Sequence, residues 1–309
     1  MAEWHPTLAE VAHAVLGVEL PALKPGTFVR FRGAADRAGQ KSAYAKLFPD
    51  EHGAIFGDWK LGAEGSWSAR NQADMTPAER VAYRAAVRAA KEKREREQAS
   101  EWRRSGDRIR AILRGSRPIV DGDPAALYLR RRVGLDASAL PQCLRIAYLP
   151  CIEDGIEIGV FPTLIAPLVK GTETVALHRT YLTEQGRKAP VPTVRKLTPA
   201  AGILSGCAIP LSAPSGGAIG VAEGIETALA ASRLSGLPTV AAYSASNLAS
   251  YRWPREARRV IVYGDNDPAG LAAAEGLRSR AAAAGVSCQV VIPEKAGQDW
   301  CDVLQEGRE

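Results

Sequence analysis

Short apolar runs, most of them followed by a helical pattern, fill the last third of the chain. The runs cover 218–223, 238–243, 258–264 and 287–292. Segments with helical spacing lie between and after them, at 225–235, 246–251 and 268–284, and a closing helical turn covers 299–306. Strands that alternate with helices in this way predict a parallel sheet with helices on both faces. Residues 218–309 are therefore expected to form one α/β domain.

The pattern before residue 218 is richer in strands. A short helix is predicted over 124–132, and β-rich runs follow at 145–149, 161–169 and 174–182, separated by turn residues. That arrangement is typical of an antiparallel sheet, so 118–217 is expected to be a mixed, β-rich domain. Basic side chains collect at the end of the helix, at the end of the third run and in the loop that follows it; they include Arg130, Arg131, His178, Arg179, Arg195 and Lys196.

The first part of the chain, 1–75, is expected to be a small α+β unit. A helix is predicted over 8–16, a strand over 26–31, and a hairpin from the runs at 53–60 and 66–69. Basic side chains alternate with aromatic ones along these strands; they are Arg30, Arg32, Lys41, Lys46 and Lys60 among Phe28, Phe31, Phe56, Trp59 and Trp67. Such a surface suits a single strand of nucleic acid, without zinc. Aromatic side chains in so small a unit are more often simply its core.

A long helix rich in Ala, Arg, Glu and Lys is predicted from residue 76 to about 113. Its apolar stripe is thin, so 76–117 is interpreted as a solvated basic linker. The whole chain of 309 residues has a net charge of +6, and 76–117 holds 13 Lys and Arg against 6 Asp and Glu. The rest of the chain is therefore nearly neutral. This local charge fits contact with a polyanion, and it also fits a solvated helix with many arginines.

Composition excludes several classes of protein. The five cysteines are scattered and never spaced C-x-x-C, and the four histidines are not paired at metal-ligand spacing, so no structural zinc is expected. No apolar stretch is long enough for a membrane span, and no signal pattern opens the chain. We expect a soluble, cytoplasmic protein without membrane contact. The approximate P-loop at 33–42 has the wrong spacing, so no ATPase is expected.

Acidic side chains follow two of the predicted parallel strands. Glu223 ends the first run, and Asp265 and Asp267 end the third. The carboxyl ends of parallel strands meet at one edge of a sheet, so the three carboxylates are expected to converge. Oxygen ligands of this kind favour Mg²⁺ or Mn²⁺, and Asp299 is placed to supply acid for a second ion. Glu226, in the first turn of its helix, is expected only to complement the helix dipole.

Strand-end acids also serve as helix caps and turn residues in many α/β folds, and that alternative stays open for each of them taken singly. The combination of Glu-Gly at one strand end with Asp-x-Asp-x-x-Gly at another favours a metal site over chance.

These motifs resemble those of a known family. Glu223-Gly-x-x-Thr-Ala and Gly264-Asp-Asn-Asp-Pro-Ala-Gly270 are similar to the two motifs of the Toprim domain, above all in the DNA primases of phages and plasmids. Gly297-Gln298-Asp299-Trp300-Cys301-Asp302 resembles a Gly-Lys-Asp-x-x-Asp segment of those primases, with Gln298 in place of the usual Lys. Tyr128-Leu-Arg-Arg-Arg132, His178-Arg-Thr-Tyr-Leu182 and Arg195-Lys196 resemble the segment that precedes their Toprim domain.

The resemblance implies roles for individual residues. Glu223 would act as a metal ligand or general base, and Asp265 and Asp267 would hold Mg²⁺ or Mn²⁺, with Asp299 supporting a second ion. Arg179 and Lys196 would hold template phosphate or a nucleoside triphosphate, and the neighbouring cations Arg130, Arg131, His178 and Arg195 belong to the same basic region.

The function so implied is the synthesis of short RNA primers on single-stranded DNA from NTPs, in phage or plasmid replication in a bacterial host and with a separate helicase as possible partner. Two alternatives stay open. The same acids serve metal-dependent nucleases, and a non-catalytic, DNA-binding replication accessory protein would retain the fold.

Overall fold

The computed structural model describes residues 6–36, 40–69 and 76–307, without the side chains of residues 79 and 80. Three of the residues in the P-loop-like segment and part of the predicted 1–75 unit lie outside these ranges. The chain divides into two compact units, Met1–Gln98 and Ala99–Glu309. The finer division into four segments remains a prediction.

The first unit joins one helix to a four-stranded antiparallel sheet. Helix α1 (Leu8–Leu16) begins at a capping box formed by Thr7 and Glu10 and ends at Gly17. The strands pair in chain order: β1 (Phe28–Phe31), β2 (Ala43–Leu47), β3 (Gly53–Asp58) and β4 (Ala63–Ser68). Strand β2 was not expected, and its burial alternates with a period of two, so that Ala43 and Ala45 face inward.

Helix α2 (Pro77–Gly115) is a single helix of 39 residues. Its first part belongs to the first unit, where Arg94 forms an ion pair of 2.6 Å with Asp50. Its last part belongs to the second unit, where Ile109 is buried against Ile165 and Leu177. The apolar side chains of these last turns therefore contribute to a core, whereas most of the remaining helix is exposed.

The second unit begins with a five-stranded antiparallel sheet and one helix. The sheet has the order β5-β6-β7-β8-β9, with β5 (Arg117–Pro118), β6 (Arg145–Glu153), β7 (Ile156–Lys170), β8 (Glu173–Tyr181) and β9 (Arg195–Leu197). Helix α3 (Pro124–Val133) precedes β6. The loop predicted around Arg195 and Lys196 is wrong, because these residues pair with β8 as an edge strand.

The parallel sheet expected at the end of the chain is present, with the order β11-β10-β12-β13. Its elements are β10 (Ala218–Ala222), α4 (Ile225–Ser235), β11 (Thr239–Ala241), α5 (Ala245–Ser250), β12 (Arg259–Tyr263), α6 (Pro268–Ala283), β13 (Ser287–Val291) and α7 (Trp300–Glu306). Apolar side chains of α4 and α7 join one core cluster, and those of α5 and α6 join another, so helices cover both faces.

The largest core cluster connects the two sheets of the second unit. It includes Tyr128 and Leu129 of α3, Leu164 of β7 and Ile225 of α4. The β-rich region and the α/β region therefore share one hydrophobic core. Among the described helices, none is long and apolar enough to cross a membrane.

Candidate active site

The acidic side chains lie at the carboxyl ends of two adjacent parallel strands. Glu223 follows β10 directly, and Asp265 comes two residues after β12. The last residues of these strands, Ala222 and Tyr263, are paired in the sheet. Alternating β and α segments thus deliver both acids to one edge, which is where open α/β sheets bind ligands.

Asp265 is the most strongly perturbed carboxylate of this edge. Burial, together with the charges of Glu223, Asp299, Asp267 and Asp302, raises its pKa to about 6. Its Oδ1 atom is buried and has no hydrogen-bond partner among the described residues. The pKa of Glu223 is also raised, by burial and by the charge of Asp267. The carboxylates are therefore close enough to repel one another.

The Asp-x-Asp-x-x-Gly motif gives this edge its shape. Asp267 caps helix α6, because its Oδ1 accepts a hydrogen bond of 2.7 Å from the Gly270 amide. A Cβ atom on Gly270 would lie 2.6 Å from the carbonyl oxygen of Asp265, so only glycine allows the helix to approach this closely. Asn266 points elsewhere, as its amide donates to the carbonyl of Pro293 at 2.8 Å.

Asp299 lies at the start of helix α7 and is part of its cap. Its Oδ1 accepts hydrogen bonds from the amides of Cys301 and Asp302, and the Asp302 carboxylate accepts one from the Asp299 amide. The other carboxylate oxygen, Oδ2, lies 3.5 Å from a guanidinium nitrogen of Arg132. Asp299, the predicted ligand of a second ion, therefore uses one carboxylate oxygen to cap the helix and the other in an ion pair.

The donor set fits a hard divalent cation. In the described parts of the chain, no group of three or more His, Cys, Asp or Glu side chains converges closely enough to hold a metal ion. Nevertheless, a buried carboxylate oxygen without a partner, next to several other carboxylates, is what a cation would neutralise and ligate. Glu223, Asp265 and Asp267 would hold Mg²⁺ or Mn²⁺.

Of the six predicted cations, only Arg195 acts on the acidic edge, where its charge lowers the pKa of Glu223 against the larger effect of burial. Arg130 forms an exposed ion pair with Asp136, and Arg131 donates to the carbonyl of Gly186. Arg179 donates to Tyr181 and to the carbonyl of Leu197, and Lys196 pairs with Glu153 at 2.9 Å.

His178 is buried, and burial lowers its pKa to about 4. Its Nδ1 atom is also buried and has no partner among the described residues. The structure therefore places this predicted phosphate contact in the interior.

A buried network beside the acids joins three residues whose mutual contacts the sequence did not predict. Glu226 is 5% exposed and accepts hydrogen bonds from the Tyr128 hydroxyl at 2.5 Å and from Arg195 at 2.8 Å. Burial alone would raise the pKa of Glu226, but Arg195 and Tyr128 hold it below its usual value. The expected role as a simple helix-dipole acid is wrong, because Glu226 is the counter-ion of Arg195.

Arg132 is the other unpredicted residue. It faces Asp299, and its Nε atom is buried without a partner among the described residues. Helical spacing could have indicated Arg132, because Tyr128 and Arg132 are four residues apart and share one face of α3. Arg130 and Arg131 occupy other faces.

The first unit carries three adjacent aromatic rings, called the aromatic row below, on the outer face of its sheet. The centroids of Phe28 and Trp59 are 6.0 Å apart, so the three rings form a triangle. Phe28 stacks on Tyr44 with ring centroids 5.4 Å apart, and Tyr44 stacks on Trp59 at 4.4 Å. Phe28 and Trp59 are 47% and 53% exposed, and the guanidinium of Arg30 lies over the Trp59 ring. Phe31, Phe56 and Trp67 point to the other face and pack with the core. The outer face of the sheet thus carries the aromatics suited to nucleic acid, and the inner face carries those that form the core.

Comparison with family models identifies the second unit. Residues 218–309 match the Toprim domain, and residues 103–211 match a domain of unknown function, DUF7146. The acidic edge belongs to the first of these segments. Residues 218–309 are therefore a Toprim domain, as their motifs predicted.

The solved structures that resemble this chain include several bacterial primases. A DNA primase domain from Pseudomonas aeruginosa is 15% identical, with 58% of each chain covered and a TM-score of 0.36. The RNA polymerase domain of Mycobacterium tuberculosis primase DnaG is 20% identical, with 51% of this chain and 56% of that chain covered and a TM-score of 0.34. The Aquifex aeolicus primase, with its zinc-binding and RNA polymerase domains, is 15% identical, with 93% and 77% covered and a TM-score of 0.34.

This chain spans less than two thirds of the Pseudomonas and Mycobacterium structures. At these TM-scores, no residue role is transferred from them. No curated protein matches the chain.

Proposed function

We propose that this protein is a metal-dependent nucleotidyltransferase that makes short RNA primers on single-stranded DNA, in the replication of a mobile element. The observation that carries the proposal is the buried, unpartnered Oδ1 of Asp265, surrounded by the charges of four other carboxylates at the edge of a Toprim sheet. Without a cation, repulsion between the carboxylates destabilises this arrangement. A bound cation would neutralise the repulsion and support catalysis.

The chain's own residues would divide the work at this edge. A bound Mg²⁺ or Mn²⁺ would stabilise charge on the attacking and leaving oxygens of a phosphoryl transfer. Glu223, with a raised pKa, is placed to accept a proton from an attacking hydroxyl. Arg195 and Arg132 border the acids and supply positive charge toward the phosphates of an incoming nucleotide. The unpartnered Nε of Arg132 supports this role.

The aromatic row of Phe28, Tyr44 and Trp59 supports a single-stranded template. Partly exposed rings offer apolar surface on which bases can stack, and Arg30 and Lys46 on the same face add charge for the backbone. Nucleobases would cover rings that the free protein leaves partly in water.

The proposal is tested by incubating the protein with single-stranded DNA, labelled NTPs and Mg²⁺ or Mn²⁺. Asp265→Asn, which keeps the side-chain volume, is the matched inactive variant. Short labelled RNA from the wild type that is absent with the variant supports primer synthesis. DNA cleavage that is absent with the variant would replace the proposal by a nuclease. If wild type and variant give neither product, the accessory protein is favoured and the proposal fails.

A further inference from the structure

A second concave site lies at the opposite edge of the parallel sheet. It is a cavity of about 560 Å³. Its lining includes Ser212 and Pro214, which precede β10, and Arg252 to Glu256, which precede β12. Segments that lead into parallel strands lie at the amino edge of the sheet, whereas Glu223 and Asp265 lie at the carboxyl edge. None of the acids at the candidate active site lines this cavity.

The cavity combines an apolar wall with a cationic rim. Ile219, Val240 and Pro254 contribute to the wall. Lys170, Arg252 and Arg255 contribute three positive charges, against the single carboxylate of Glu256. Among the described residues, no ion pair includes any of these three cations. The site therefore holds positive charge that the protein itself leaves without an ion-pair partner.

The arginine-bearing segment is fixed in place. Arg280 donates to the carbonyls of Ala249 and Tyr251 at 2.8 and 2.9 Å, and its guanidinium lies over the Trp253 ring. Gly206 has a φ of +84°, and a Cβ there would lie 2.9 Å from Cγ of Arg252. The Arg252 stem thus packs directly on a glycine that few other residues could replace. Burial and the charge of Arg252 both lower the pKa of Arg280, so the cations crowd one another.

Tyr251 adds a hydrogen-bond donor to the wall of the cavity. The residue is 3% exposed and lines the cavity, and no described residue forms a hydrogen bond with its hydroxyl. The hydroxyl is not among the fully buried side-chain atoms that lack a hydrogen-bond partner, so it is accessible from the cavity. A ligand with an oxygen acceptor in the cavity would accept a hydrogen bond from it.

We propose that this cavity binds a nucleoside phosphate, independently of the acidic edge. The planar forks of Arg252 and Arg255 match phosphate oxygens, the apolar wall accepts a flat base, and the Tyr251 hydroxyl binds an acceptor on the ligand. A cavity of this volume is in the range of small-molecule sites. The site is additional to the nucleotide use proposed above, because it contains no cluster of carboxylates and requires no metal.

The test uses the full-length protein in EDTA, so that metal-dependent binding at the acidic edge does not contribute. AMP and GMP are titrated by calorimetry against the wild type, with inorganic phosphate and adenosine as separate probes. We expect saturable binding of one nucleotide per chain. The double variant Arg252→Gln/Arg255→Gln should bind at least tenfold more weakly, and Asp265→Asn should bind as the wild type does.

Tyr251→Phe separates ligand binding from folding. It removes only the hydroxyl, so affinity should fall several-fold while thermal stability stays the same or rises. The proposal would be overturned if inorganic phosphate or adenosine alone bound as tightly as the nucleotides. It would also be overturned if the double variant bound the nucleotides with the affinity of the wild type. Loss of binding in Asp265→Asn would assign the nucleotide to the acidic edge instead. Absence of saturable binding in the wild type would also overturn it.

Discussion

Asp265 carries a charge that the metal-free protein accommodates poorly, because it is half-buried and surrounded by other carboxylates. We expect Asp265→Asn to raise the free energy of unfolding at pH 7 in EDTA by on the order of 1–2 kcal/mol, after discounting the pKa shift for solvent screening. Mg²⁺ or Mn²⁺ should then raise the melting temperature of the wild type and not that of the variant.

Differential scanning fluorimetry with and without the metal measures both effects. Asp136→Asn, which alters an exposed acid paired with Arg130, serves as the control and should show neither. Two results would contradict this prediction: an Asp265→Asn protein that melts below the wild type in EDTA, or one whose melting temperature the metal raises as much as that of the wild type. Either would show that the Asp265 carboxylate is not a destabilised metal ligand.

His178 predicts a separate dependence on pH. Its pKa is about 4 in the folded protein, where Glu226, Arg195 and Arg179 lie around it, against 6.5 as its ordinary value. The unfolded chain therefore binds the proton first as the pH falls. The stability that His178 supports is complete above pH 6.5 and is lost between pH 6.5 and 4, by about 3 kcal/mol.

Urea denaturation of the wild type and of His178→Gln, at intervals from pH 7.5 to 4, measures this dependence. The difference in unfolding free energy between the two proteins should narrow toward acid, because only the wild type has this group to protonate. A difference that stays constant across the range would mean that His178 is already charged in the folded protein, or is not buried.

At the level of the element, the start of helix α6 positions the acidic edge through Gly270. Gly270→Ala places a Cβ atom against the backbone of Asp265, so the strand end or the helix must move. We expect the free energy of unfolding to fall by about 1–3 kcal/mol, with a larger loss of metal-dependent stabilisation. Gly276→Ala in the same helix is the control, since its Cβ would meet Ala249 at an ordinary 3.4 Å. If both substitutions reduced the metal-dependent stabilisation equally, Gly270 would have no specific role in positioning the acidic edge.

The aromatic row is the corresponding element of the first unit. Trp59→Ala removes the most exposed ring of the row, whereas Trp67→Phe changes an aromatic side chain of the opposite, core-facing side. We expect the first to weaken binding of a single-stranded oligonucleotide by about 1–3 kcal/mol and the second to leave it unchanged. Fluorescence anisotropy with labelled oligo-dT measures both affinities. Glu64→Gln, which removes an acid close to Tyr44, should strengthen binding. Equal affinities in all four proteins would leave the row without a role in binding.

Elements whose patterns are local were predictable from the sequence, and contacts between distant segments were not. The parallel strands and their helices follow from apolar runs that end in glycine and acid, and the structure has them within a residue or two. Strand β9 was missed because three residues with two cations carry no strand pattern of their own. The hydrogen bond between Tyr128 and Glu226 joins residues 98 apart in sequence, so no local motif could predict it. The proximity of Glu223 and Asp265 was predictable because a parallel sheet brings strand ends together by its topology alone.

At the scale of the whole molecule, positive charge is concentrated on helix α2. Arg103, Arg104 and Arg108 are exposed there, and no ion pair among the described residues includes them. If this helix contacts the phosphates of a single strand, each arginine releases counterions on binding. Replacing all three by Gln should then flatten the slope of log affinity against log salt by about 2, since each phosphate contact contributes roughly 0.7.

The same titration with Arg278→Gln provides the control, because Arg278 is paired with Glu275 on helix α6. Glutamine also favours a helix, so circular dichroism should be unchanged in both variants. A reduced slope in the triple variant alone would make the long helix part of the nucleic-acid surface. An unchanged slope would leave it as a solvated helix whose arginines serve folding and solubility. The template contacts would then have to come from the aromatic row and from the arginines beside the acidic edge.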